Sequence, residues 1–242
     1  MDPNAPTTAL PHNQSTNVAG EPLSLSDKAF DVAQAPAFSF KPISNIKQAL
    51  CALHPYAHDP ARPAVPAYHF CTHNTSSDIH QCIIFDSNEP TARLIGIEYI
   101  ITENLFRTLD DEEKKLWHSH KYEIESGLLT MIAKPGIPSG VDDALEMPAL
   151  KNLHTTYGKT WHLWQIDRGD PLPLGLPQLM KAFNSDSDVP QDVIADHERR
   201  TGTNVKAKAD YRAKHLDKSY RPLPGADEKG PHLELVMKGT GA

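Results

Sequence analysis

Apolar and polar positions alternate through the middle of the chain, and long apolar runs are rare. "AYHFCTHN" (67–74) and "HQCIIFDS" (80–87) are short strand-like runs joined by polar "NTSSDI", and together they predict a β-hairpin. "ARLIGIEYIIT" (92–102) is β-branched and broken by one glycine, which reads as a buried strand. "TWHLWQID" (160–167) also alternates. It sets Trp161, Leu163 and Gln165 opposite Thr160, His162, Trp164 and Ile166. "HSHKYEIESGLLTMI" (118–132) reads as strand, a turn near Gly127, then strand.

Helical spacing is confined to fewer stretches. "FSFKPISNIKQALCAL" (38–53) predicts a helix with Ser44 as N-cap and Ile46, Leu50 and Leu53 on one face. "TENLFRTL" and "DDEEKKLW" predict one or two turns each, the second with its acids at the favourable end. "MPALKNLHTTYGK" (147–159) predicts a helix with Met147, Leu150, Leu153 and Tyr157 as its stripe, Pro148 in its first turn and Gly158 past its end. Residues 190–216 read as two helices separated by Gly202, and the Pro-rich stretches 54–66 and 168–180 read as irregular crossings. Strands mixed with helices, without a strict βαβ rhythm, predict an α+β fold. Its sheet is expected to be mostly antiparallel, with closure into a barrel-like, cupin-like form as one outcome. The domain expectation is a disordered segment over 1–37, poor in large apolar side chains, one domain over 38–220, and a loose Pro/Gly-rich tail over 221–242.

Charge and cysteine content narrow the function. Lys and Arg number 24 against 31 Asp and Glu, a net charge of −7, which argues against general nucleic-acid binding. No run of about 18 apolar residues predicts a transmembrane helix, and "MDPNAPTTALPHNQSTN" lacks the basic and apolar regions of a signal peptide. A soluble, cytoplasmic protein is expected. Three cysteines without a CxxC fit a reducing compartment better than a disulfide framework. Cys71, between His69 and His73, could form a thiol–imidazole pair, but no third group is evident and buried packing is the commoner role.

Thirteen histidines are more than composition alone requires. "LWHSHKYEIESGLL", starting at Leu116, puts His118 and His120 on one strand face, and Glu123 would reach the same ion only through a bulge or twist. With His69, His73 or His162 as further donors, these residues could hold a divalent metal ion. The HxH followed by an acid resembles the first metal motif of cupin barrels, although no clear second motif follows Gly127. The competing reading is a polar strand whose histidines bond to backbone or carboxylates. Trp164, Gln165 and Arg168 suggest an aromatic-lined ligand pocket; the alternative is a turn in which Arg168 pairs with Asp167 or Asp170. Residues 199–221 carry eight Lys/Arg against two Asp, a basic stretch able to lie on an anionic surface.

Several blocks taken in order carry a resemblance: "FKPISNIKQALCALHPYAHDPAR", "YHFCTH", "QCIIFDSNEPTARLIGIEYIIT", "EEKKLWHSHKYEIESGLL" and "YGKTWHLWQIDRGDPLPLGLPQLM". From about Phe38 to Arg212 the chain resembles the oil body-associated protein family. That resemblance implies a peripheral, non-catalytic protein with the lipid droplet surface as partner, and it supplies no catalytic residues. The residues themselves support a second class, a metal-dependent enzyme or small-molecule-binding barrel built on the histidines.

Overall fold

β1 (Gln48–His54), β2 (Val65–Ser76), β3 (Ile79–Phe85) and β4 (Leu94–Thr102) form an antiparallel meander. The computed structural model describes residues 18–228, apart from positions 60, 135 and 139 and the side chains of 74 and 75. Before the meander stand the helices α1 (Leu25–Gln34) and α2 (Lys41–Ser44). After it come α3 (Glu103–Arg107), α4 (Asp111–Lys114), β5 (His118–Ser119), α5 (Lys121–Glu125), β6 (Thr130–Met131) and α6 (Val141–Leu153). β7 (Thr156–His162), β8 (Gln178–Met180), α7 (Gln191–Thr201) and α8 (Val205–Arg212) complete the order. The strands make one sheet, β5-β7-β4-β3-β2-β1-β6, with β8 also on β7. The fold is α+β with an antiparallel sheet, as the alternation predicts.

The sheet closes. β8 pairs with β7 through Thr160↔Met180 and His162↔Gln178. Its other edge meets the chain just beyond β1, where Tyr56 bridges Met180. Ala57 N–H donates to Leu179 O at 3.1 Å and Lys181 N–H to Pro55 O at 2.9 Å. The path β1-β2-β3-β4-β7-β8 therefore returns to its start, and unpaired strand edges are removed along that half of the seam. Residues 118–131 cross the other half: β5 pairs with β7, and β6 pairs with β1. Curvature shows directly in the side chains. His54 on β1 and His162 on β7 meet at 3.0 Å, whereas four strand steps in a flat sheet would separate them by about 19 Å.

Two apolar clusters lie within this fold. One contains Tyr56, Val65, Ala67, Ile84, Ile95, Trp164, Ile166 and Met180. The other contains Leu50, Ala52, Cys71, Cys82, Ile100, Ile124, Leu129, Leu150 and Leu153. A third packs α7 and α8 on the outer face of β1 through Leu53, Phe183, Val193 and Val205.

Four local expectations are corrected. Gln48–His54 is strand, not the end of a helix, because both faces of the segment are covered and its backbone pairs on both sides. Helical spacing at Leu50 and Leu53 is indistinguishable from a strand buried on two faces. Only His118 and Ser119 are strand in the HxH stretch; His120 already caps α5. The predicted helix at 147–159 begins earlier and ends at Leu153, with Pro148 inside it and Gly158 in the middle of β7. Finally, Cys71 and Cys82 are joined as a disulfide. They face each other across the hairpin, with Cα atoms 4.1 Å apart, so the pairing comes from strand register and leaves no CxxC signature.

The ends of the chain are partly placed. Residues 1–17 and 229–242 of the stretches expected to be disordered or loose lie outside the described residues. Over 25–34 the chain is helical, started by a Ser24–Asp27 capping box, yet no residue of α1 is buried. Residues 221–228 lie against the barrel: Ala226 is buried beside Phe106, Trp117 and Tyr157, and Asp227 accepts from Ser119 N–H and Oγ.

Candidate metal centre

Glu98, on β4, is the one carboxylate inside an otherwise apolar strand, and it is buried. Its Oε2 accepts from His69 Nε2 at 2.9 Å. Its Oε1 faces His118 Nε2 at 3.3 Å and His120 Nε2 at 3.5 Å, but no well-aligned hydrogen bond reaches it. His54 and His69 make one possible donor group with Glu98, and His118 and His120 make another; all five residues are buried.

Local structure explains how these side chains converge. His69 and Glu98 come from β2 and β4 on either side of β3. β5 lies along β7 with His118 opposite Gly158. A Cβ at Gly158 would collide with Glu98 Oε1 and stand 2.7 Å from His118 Nε2, so the missing side chain is what lets the two approach. The turn into α5 does the rest. A strand would carry Glu123 to the wrong face, but His120 and Glu123 sit three apart at a helix start, and Glu123 Oε1 lies 3.7 Å from His120 Nε2.

Hydrogen bonding fixes the His120 tautomer. Thr156 Oγ1 gives its single proton to Leu153 O at 2.7 Å, so at 2.9 Å it can only accept from His120 Nδ1–H. Without an added proton, His120 Nε2 is then a bare lone pair aimed at carboxylate oxygen. Burial alone would raise the Glu98 carboxyl; the imidazoles of His118, His120 and His69 hold it well below the usual range. Burial pushes Glu123 up to about 8, against the pull of His120. Burial lowers His162 to about 3 and, with His69 and His162 beside it, His54 well below its ordinary value.

The other sequence candidates are placed elsewhere. His73 is exposed and bonds His80 at 2.7 Å, away from the centre. His162 lies inside and bonds His54. Trp164 is buried and donates to Asp170 O, while Gln165 donates to the His162 and Leu176 carbonyls. Arg168 is on the loop outside, paired with Asp170. The thiol of Cys51 is buried and pushed up to about 12 by burial, so it is unreactive. Sequence reasoning missed Glu98 and left His54 without a role. A lone acid in the β-branched run "LIGIEYII" was the available signal for Glu98.

The basic stretch 199–221 is largely turned to internal pairing. Arg199 and Arg200 pair with Asp196 and Lys206 with Asp210. Lys208 pairs with Asp142, Asp143 and Glu146. Arg212, fully buried, bonds Glu146 and Ile124 O.

Comparison with known proteins decides the family. Residues 40–216 match the model "Protein of unknown function (DUF1264)". Oil body-associated protein 1B of Arabidopsis thaliana is 42% identical over 93% of this chain and 91% of its own length. The chain belongs to the oil body-associated protein family. Another member, oil body-associated protein 1A of Zea mays, is 40% identical over 92% of this chain and 90% of its own length. The family match spans every strand of the barrel and all the residues of the buried cluster. No solved structure matches the chain. Among the described residues no helix is long and apolar enough to cross a membrane.

Proposed function

We propose that this protein is a peripheral, non-catalytic component of the oil-body or lipid-droplet surface, reached from the cytoplasm. The observation that carries the reading is identity of about 40% with proteins named for that association, over more than nine-tenths of the chain. The fold adds a surface suited to it. Leu25, Phe30, Val32, Phe38, Phe40 and Ile43 are all exposed, within twenty residues of one another. On α1 an apolar arc of Leu25, Ala29, Phe30, Val32 and Ala33 opposes Asp27, Lys28, Asp31 and Gln34. Such a helix can bury one face at a lipid boundary. Its polar face is net acidic, so attachment would rest on apolar burial rather than on attraction to anionic headgroups. The basic stretch 199–221 is the weaker candidate, since five of its eight cations are already in ion pairs.

Fluorescent fusions imaged during lipid loading test the reading. Recruitment to droplets is expected for the full chain, reduced by Phe30→Asp with Val32→Asp and little changed by moderate salt. A signal that stays diffuse while droplets form would overturn it. Loss of recruitment on replacing Lys214, Lys218 and Arg221 by Gln, with strong salt dependence, would move the contact to the basic stretch.

A further inference from the structure

We propose that the barrel interior binds one divalent first-row transition-metal ion through His118 Nε2, His120 Nε2 and Glu98 Oε1, with Glu123, whose Oε1 lies 3.7 Å from His120 Nε2, as a further acid beside them. This goes beyond attachment to a lipid surface and does not depend on it.

Distances carry the first part. His118 Nε2 and His120 Nε2 stand 3.3 and 3.5 Å from Glu98 Oε1. These are long for charge-assisted hydrogen bonds. Two ligands bonded to one ion at about 2.0–2.2 Å, at a tetrahedral angle, stand about 3.4 Å apart. The His118–Glu98 and His120–Glu98 separations thus already match the edges of a coordination tetrahedron. His120 adds the right tautomer, since Thr156 holds the proton of the neutral ring on Nδ1 and leaves Nε2 as the binding atom.

The surroundings supply the second part. Glu123 Oε2 is buried with no hydrogen-bond partner, a costly state for a polar atom unless something is meant to meet it. A void of about 10 Å³ is lined by His54, His69, Glu98, His120 and Glu123 among apolar neighbours. His118 is not among its walls, so the void lies on the His120 and Glu123 side of the donors, with room for one water or one ion. Gly158 is absent a side chain where one would fill the approach of Glu98 and His118. Two carboxylates around a divalent ion also sum to zero charge, which removes the penalty of burying both acids.

A second donor group, His54, His69 and Glu98, is already committed. His69 Nε2 bonds Glu98 Oε2 and His54 Nδ1 bonds His162 Nε2. His69 is therefore a positioning residue that turns Glu98, and His54 and His162 wall the chamber. Imidazole with carboxylate selects Zn, Fe, Mn, Co or Ni over Mg or Ca. The void is far too small for an organic substrate beside the ion, so no reaction is assigned to it.

The test uses the full chain, purified without a histidine tag and analysed for metals both as isolated and after chelation and reloading with Zn, Mn, Fe(II), Co and Ni in turn. About one ion per chain is expected for at least one metal, with visible Co(II) bands reporting nitrogen and oxygen donors. His118→Ala and Glu98→Gln should lose the ion, while His73→Ala keeps it. Circular dichroism and thermal melting establish that each variant is folded. Should His118→Ala fail to fold, the milder Glu98→Gln and Glu123→Gln decide. Wild type that binds none of the five metals, or folded variants that all retain one ion per chain, would overturn the proposal. The former outcome would leave a proton shared by His120 and the two acids. Since metal content is read on isolated protein, neither result bears on droplet recruitment.

Discussion

Glu98 Oε1 occupies the space that the Cβ of any residue but glycine at 158 would claim, although the two residues lie sixty positions apart on neighbouring strands. Gly158 is thus part of the buried cluster without contributing a donor. Gly158→Ala is expected to lower stability by about 1–3 kcal/mol through overpacking, and to displace Glu98 or His118 from the cluster. Denaturant unfolding measures the first effect and metal content the second. An alanine variant with unchanged stability and full metal content would contradict the packing account.

Arg212 ties α8 to the rest of the molecule by bonding Ile124 O at 2.7 Å and Glu146 at 2.7 Å, fully out of solvent. Removing one member of a buried charge network costs about 3–5 kcal/mol, because the remaining charges lose compensation. Arg212→Met should therefore destabilise far more than Lys206→Met, whose pair with Asp210 lies at the surface. Chemical denaturation of the two variants compares them directly.

Acid should unfold the protein through its buried histidines. Burial lowers His197 to about 4, and burial with the neighbouring His73 lowers His80 to about 4. The unfolded chain binds protons on these groups near 6.5, so between about pH 6.5 and 4 it holds more protons than the folded state. Stability is then complete above about 6.5 and falls as pH drops through that window. His197→Gln removes one titrating group, and its stability should fall less steeply, by about 3 kcal/mol over the window. Unfolding curves at a series of pH values give the slopes.

The disulfide makes a separate prediction. Denatured, unreduced protein should show one free thiol per chain, that of Cys51. Cys71 and Cys82 are 11 residues apart, and closing so short a loop contributes about 2–3 kcal/mol by restricting the unfolded state. Reduction should cost that much in denaturant stability. Three free thiols before reduction would refute the pairing.

From the sequence alone, period-two alternation was enough to find the β2–β3 hairpin, and β-branched content found β4. Of the strand expected over 160–167 only Thr160–His162 belongs to β7, which begins at Thr156 in the stretch expected to be helical, and Ile166–Arg168 is a 3₁₀ turn. Gly202 and the flanking periodicity placed α7 and α8 for a similarly local reason. The histidine cluster was half legible: His118, His120, Glu123, His69 and His162 all line the interior. His73 does not, since β2 carries it to the hairpin end beside His80. What remained depended on contacts distant along the chain. β1 became a strand only because β2 and β6 pair with it, and the barrel closed only because β8 reaches Tyr56. Cys71 met Cys82 by register, Glu98 met His118 across Gly158, and Arg212 turned inward to Glu146. Local spacing records which face a residue shares with its near neighbours. Which distant groups meet on that face is set by sheet closure and burial, where unpaired backbone and buried charge are too costly to leave without partners.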